Sequence, residues 1–158
     1  MSRPPRLQNF CYRGVYRYFL TICTFNRQKL FANPATVQDT LLQFRKTSKE
    51  ECFEISAYCF MPDHCHLLIE GLTDGSDFRR FCKRAKQRSG GVHARKQGGP
   101  LWQEGYHDRV LREGDNSLAV ARYLLDNPVR AGLVTAPAEY PYLGSDRWTA
   151  AELIDAQQ

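Results

Sequence analysis

Two histidines two positions apart, His64 and His66, are the first residues in this chain whose types and spacing suggest chemistry. Residues 64–70 (HCHLLIE) have the apolar make-up of a strand, in which alternate side chains share a face. The two imidazoles then project together, about 7 Å apart at Cα, and Cys65 turns away. Two neutral imidazoles converging in this way form half of a metal site, although two satisfied histidines at a strand edge would look the same. A third donor has to come from elsewhere. In a helix predicted over residues 118–126, Leu118, Ala121, Leu124 and Leu125 form an apolar arc while Arg122 and Asp126 face water. Tyr123 and Asn127 stand one turn apart at one margin of that arc, where both can face a cleft. Core packing would equally account for the aromatic, and a turn for an asparagine before proline.

Charge supplies the second signal. The chain of 158 residues carries a formal net charge of +5. Between Phe78 and Gln103 there is no acid, while Arg79, Arg80, Lys83, Arg84, Lys86, Arg88, Arg95 and Lys96 bring eight positive charges. Removing those eight from the 22 basic residues leaves 14 against 17 acidic ones, so the basicity is local. A block of this kind is the footprint of a phosphate-backbone partner or else a solvated helix face. We assign Arg79, Arg80, Lys83, Arg84, Lys86 and Arg88 to contacts with such a phosphate backbone on this ground.

The elements that must position these groups follow from periodicity and turn chemistry. Residues 16–25 (YRYFLTICTF) read as a strand, and Pro34 opens a helix over 35–51 with Val37, Leu41, Leu42 and Phe44 at helical spacing. Residues 53–60 return to strand, Met61-Pro62-Asp63 turns, and 64–70 closes a hairpin. Asp74-Gly75-Ser76-Asp77 offers caps for a helix through Phe78, Phe81, Cys82 and Ala85. Ser89-Gly90-Gly91 and Gly98-Gly99-Pro100 bracket a stretch read as flexible. Residues 101–111 form a strand, and the helix over 118–126 ends at Asn127-Pro128. The order β-α-β-β-α-β-α suggests an α+β sandwich, one mainly antiparallel sheet with helices on one face.

Length and composition, 42% hydrophobic and 12% aromatic, suit a single domain over 1–158 with a core of about 16–145 and loose ends. The apolar runs fall far below the ~20 residues of a bilayer span, and residues 1–6 lack the apolar stretch of a secretory signal. The expectation is a cytoplasmic protein in a reducing compartment. Its six cysteines form no CxxC pair and read as small apolar residues or incidental thiols.

Residues 61–69 (MPDHCHLLI) resemble the HUH segment of single-tyrosine transposases, U being hydrophobic. Residues 102–108 (WQEGYHD), 123–134 (YLLDNPVRAGLV) and 140–142 (YPY) resemble later blocks of that family in its REP-associated branch, in the same order and with similar spacing. The likeness runs from about residue 16 to 145. It implies a ferredoxin-like fold, a divalent ion on His64, His66 and Asn127, Tyr123 as nucleophile, and cleavage and rejoining of single-stranded or hairpin DNA through a 5′-phosphotyrosine. Two imidazoles and an amide oxygen leave the ion its full charge, which suits Mg²⁺ or Mn²⁺ with phosphate and water oxygens. His107 and Glu70 are the candidates to take the phenol proton. Cys65 stands where an aliphatic residue is commoner and Asp63 where asparagine is. The resemblance admits a monomer or a dimer. Two other readings compete: a DNA-binding module of the same fold without catalysis, and a hydrolase that works through activated water and would not need Tyr123.

Overall fold

A computed structural model describes residues 9–155. The loose start expected at residues 1–8 and the last three residues lie outside the described part. β1 (Arg17–Cys23), β2 (Phe53–Met61), β3 (His64–Gly71), β4 (His107–Val110) and β5 (Leu143–Gly144) form one antiparallel sheet in the order β4-β1-β3-β2-β5. The helices are α1 (Pro34–Glu50), α2 (Phe78–Lys96), α3 (Ser117–Leu125), α4 (Asn127–Arg130) and α5 (Ala150–Asp155). Among the described residues no helix is long and apolar enough to cross a membrane.

Local chemistry sets the helix starts. Asn33 accepts from Ala35 N at 3.0 Å with Pro34 in the first turn, Asp77 accepts from Arg80 N at 3.1 Å, and Asn116 accepts from Ala119 N at 3.1 Å. Each satisfies one of the amide donors that a helix start leaves orphaned.

The sheet is buried on both faces. Tyr18, Leu20, Ile22, Cys65, Leu67 and Ile69 pack against Phe44 of α1 and Phe78, Phe81 and Cys82 of α2. On the other face Ala57, Cys59, Met61 and Leu68 pack against Ala121, Leu124 and Leu125 of α3. The sequence places helices on one face, which holds for α1 and α2; α3 lies on the opposite one. The cause is in β2, where the pairing with β3 shifts register between Ile55 and Ala57. A bulge there re-phases the strand, so Ile55 faces one core and Ala57, Cys59 and Met61 the other, and the second apolar face needs its own cover.

Three further differences from the sequence reading have physical reasons. α2 runs unbroken through Gly90-Gly91 to Lys96. Tertiary contacts outweigh the roughly 1 kcal/mol cost of each helical glycine: Ser89 Oγ accepts from Trp102 Nε1 at 2.8 Å, His93 is buried, and Lys96 reaches Asp39 at 3.0 Å. The strand expected over 101–111 shrinks to β4 because residues 103 and 105 give their carbonyls to Lys86 Nζ, at 2.9 and 2.7 Å, instead of to a ladder. α3 ends at Leu125, just before Asn127-Pro128 as expected, but a short α4 follows at once with Pro128 in its first turn, where a proline gives up no helical hydrogen bond.

Candidate active site

His64 and His66 point away from the Cys65 face, as strand alternation requires, and their ring centroids lie 4.8 Å apart at 77°. Each has its Nδ1 engaged. Asp63 Oδ1 lies 2.7 Å from His64 Nδ1, and because a carboxylate only accepts, that nitrogen is the donor and Nε2 is the atom left for another partner. Asp63 Oδ2 in turn takes Arg27 Nε at 3.1 Å and Nη2 at 3.0 Å. Burial opposes the Asp63 charge, but the hydrogen bonds from His64 and Arg27 outweigh it and hold the carboxyl below its ordinary value.

His66 Nδ1 meets Thr21 Oγ1 at 2.8 Å, and the ring lies 5.3 Å from Phe19. Burial, then the neighbouring His64, then the positive Arg130 push its pKa down to about 3. This imidazole is therefore neutral throughout the physiological range, the state that a metal ligand needs. Among the described residues no third His, Cys, Asp or Glu joins the pair, so a third protein donor would have to be an amide or a hydroxyl.

The depressed His66 value carries a stability consequence. The unfolded imidazole takes its proton near 6.5 and the folded one only near 3. Between these values the unfolded state binds more protons, so stability falls as pH falls through that window. We expect a loss approaching about 1 kcal/mol per pH unit in metal-free protein, measured by urea unfolding between pH 7 and 4, and a flatter dependence in His66→Gln. A slope unchanged by the substitution would show that other groups set the acid limit.

α3 crosses the same sheet face, over β2 and β3, and carries Tyr123, which is 63% exposed. The Arg130 guanidinium sits 3.9 Å from the centre of the Tyr123 ring, donates to Tyr123 O at 2.8 Å and reaches Asp126 at 3.4 Å. The same cation contributes, after burial and His64, to the lowered pKa of His66. Asn127, half-buried, opens α4. Its backbone oxygen accepts from Ala131 N at 2.9 Å, and among the described residues its side-chain amide has no hydrogen bond. Arg122, expected to face water, is half-buried and donates to Glu152 O of α5 at 3.3 Å.

His107 stands on the histidine face: Thr21 is in register with His66 on one side and with His107 on the other. The two histidines are two strands apart, about 10 Å at Cα. Glu70 shares the face but lies four residues along β3 from His66, about 13 Å away, and its carboxylate holds Arg147 at 3.0 Å.

The basic helix lies across the sheet from the histidines. Arg80 and Arg84 reach Glu51 at 3.2 and 2.6 Å, Arg88 reaches Glu50 at 2.5 Å, and Arg79 stacks over Tyr12 at 4.9 Å. Lys86 holds the 103–105 carbonyls, and Lys83 is exposed. His64, His66 and His107 thus share one sheet face, which α3, the helix that carries Tyr123, also covers, and the six basic residues lie on α2 across the sheet.

Three neighbours of the pair escape sequence reasoning: Thr21, Arg27 and Arg130. Arg130 had a signal, because seven residues is two helical turns and returns it to the Tyr123 margin. Thr21 and Arg27 had none: the β1–β3 register sets Thr21 opposite His66, and Arg27 reaches Asp63 from the turn that follows β1.

Three comparisons bear on this arrangement. The family described as Transposase IS200 like matches residues 14–127. A Haemophilus influenzae protein named as a REP-associated tyrosine transposase is 26% identical over 152 residues, covering 86% of this chain and 83% of its own. A solved REP-associated tyrosine transposase bound to a REP hairpin superposes with a TM-score of 0.74 at 22% identity, covering 90% of this chain and 82% of that one. A Deinococcus radiodurans transposase structure gives 0.53 at 21% identity, covering 78% and 97%. At these identities the structures show a shared α+β fold.

Proposed function

The chain belongs to the IS200-like transposase family, and from that premise we propose that it cleaves and rejoins single-stranded or hairpin DNA, with Tyr123 as the nucleophile. What supports this reading is that α3, which carries the exposed Tyr123 phenol with the Arg130 guanidinium over its ring, packs on the sheet face that holds two imidazoles with engaged Nδ1 atoms. A structural histidine pair would have no need of that company.

The donor set fits a divalent ion. His64 and His66 would hold it through Nε2 and Asn127 through its amide oxygen, a neutral set suited to Mg²⁺ or Mn²⁺. When bound, such an ion supplies charge stabilisation at the scissile phosphate. The protein groups do the rest. Tyr123 Oη forms the new bond to phosphorus, the bond from phosphorus to the 3′ oxygen breaks, and net transfer of the phenol proton to that oxygen balances the step. The phosphotyrosine keeps the phosphodiester energy, so a second 3′ hydroxyl can reverse the attack without external energy. Arg130, stacked over the Tyr123 ring, would meet the phosphate charge. Of the two proton acceptors considered, His107 shares the site's face, while Glu70 is taken up by Arg147.

The direct test is to incubate the protein with a labelled hairpin carrying single-stranded flanks and Mg²⁺ or Mn²⁺, then to denature it. An adduct that survives denaturation and disappears with chelator is the expected result. Tight binding without an adduct in either metal would favour a non-catalytic DNA-binding module.

A further inference from the structure

An open groove of about 700 Å³ lies between α2 and the segment 100–106, outside the site described above. Phe25, Trp102 and Tyr106 line it, Gly90 and Gly105 leave part of its surface bare, and Lys83 stands on its α2 side. Its walls are fixed rather than loose. Trp102 donates Nε1 to Ser89 and stacks on Phe44 at 6.0 Å and 11°, while Lys86 Nζ ties down the carbonyls of residues 103 and 105. Phe25 remains 38% exposed. Lys83, unlike Arg80, Arg84 and Arg88, is not committed to an acid of the α1 end among the described residues. One carboxylate, that of the exposed Glu104, belongs to the lining.

The groove starts where the candidate active site ends. Cys23, the last residue of β1, is in register with His64, and its carbonyl accepts from Gln103 N at 3.0 Å. Two residues later Phe25 N donates to Leu101 O at 2.9 Å. Phe25 thus follows by two residues the strand end that is paired with His64. A polymer leaving the histidine face around the end of β1 therefore meets an aromatic wall and then an ammonium group, the pairing that binds a base through its flat face and a backbone through its phosphate. A duplex hides its base faces in the stack and cannot use such a wall.

Resting on the function proposed above, we infer that this groove binds an unpaired nucleotide of the single-stranded DNA flanking the scissile bond, the base against Phe25 and a phosphate on Lys83. The test uses the Tyr123→Phe chain, so that binding is read without cleavage, and a hairpin with 2-aminopurine at successive flank positions. We expect quenching at one or two positions. Phe25→Ala should abolish it and weaken flanked-hairpin binding roughly 5- to 100-fold, and Phe25→Trp should retain both. Lys83→Gln should lower the slope of log affinity against log salt by about 0.7, one single-strand phosphate. A blunt hairpin without flanks should bind all variants equally, with melting curves confirming the fold. Unchanged quenching in Phe25→Ala, or equal losses on blunt and flanked hairpins, overturns the inference. Adduct formation by the unmodified chain with no quenched position would remove the groove assignment and leave the nuclease reading standing. A quenched probe without any adduct would do the reverse.

Discussion

Tyr123→Phe should abolish adduct formation, by roughly four to six orders of magnitude in rate, while fold and DNA binding survive. The substitution deletes one oxygen and keeps the ring. That ring is largely exposed, so its removal from the nucleophile role costs no core packing. The Arg130 contact at 3.9 Å is with the ring face, which phenylalanine also offers, so the corner keeps its shape. Adduct yield on denaturing gels, native-gel affinity and thermal melting measure the three quantities separately. A Tyr123→Phe protein that cuts at the wild-type rate would refute the covalent mechanism and point to activated water as the nucleophile. Among other tyrosines, Tyr18 and Tyr140 are buried, and burial raises both phenols well above their ordinary value, so neither competes for the role.

His64→Ala and His66→Ala should each cost about two to four orders of magnitude in cleavage, the several kcal/mol that a bound ion contributes to phosphate chemistry. Manganese titration followed by EPR reads the loss directly and independently of turnover. Asp63→Asn makes the informative contrast. An amide oxygen still accepts from His64 Nδ1, so the ring keeps its orientation, but the ion pair with Arg27 is lost. We expect manganese affinity to fall roughly tenfold in that variant, the scale of a lost supporting partner, against near-complete loss in the alanine variants. Metal binding unchanged in both alanine variants would place the ion, if one is used, away from the histidine pair.

The separation of the basic helix from the histidine face changes what its charges are for. Arg80, Arg84 and Arg88 bind α2 to the acids at the end of α1, and Glu51 is only 8% exposed. Those arginines serve the fold whether or not phosphates also touch them. Lys83 and Arg79 are freer of that duty, and Lys83 lies on the groove that leads back toward the histidine face.

Pattern alone determined a good deal. Alternation put His64 and His66 on one side and Cys65 on the other, because a strand's period is two whatever surrounds it. Helical spacing gave the apolar arc of Ala121, Leu124 and Leu125, and turn and cap residues located the starts of α1, α2 and α3. These are short-range properties, set by bond geometry and by groups a few residues apart. Where the two patterns meet was decided only in three dimensions. The bulge at Ile55 and Ala57 turned part of β2 toward a second core, and α3, with Tyr123 on it, packs on that face while the basic helix packs on the other. The partners of the imidazoles came from the same source: Thr21 lies 45 residues from His66 and Arg27 36 residues from Asp63. A one-residue slip in strand register would have sent every one of these side chains to the other face. Register answers to the packing of the whole sheet, which no local window of sequence contains.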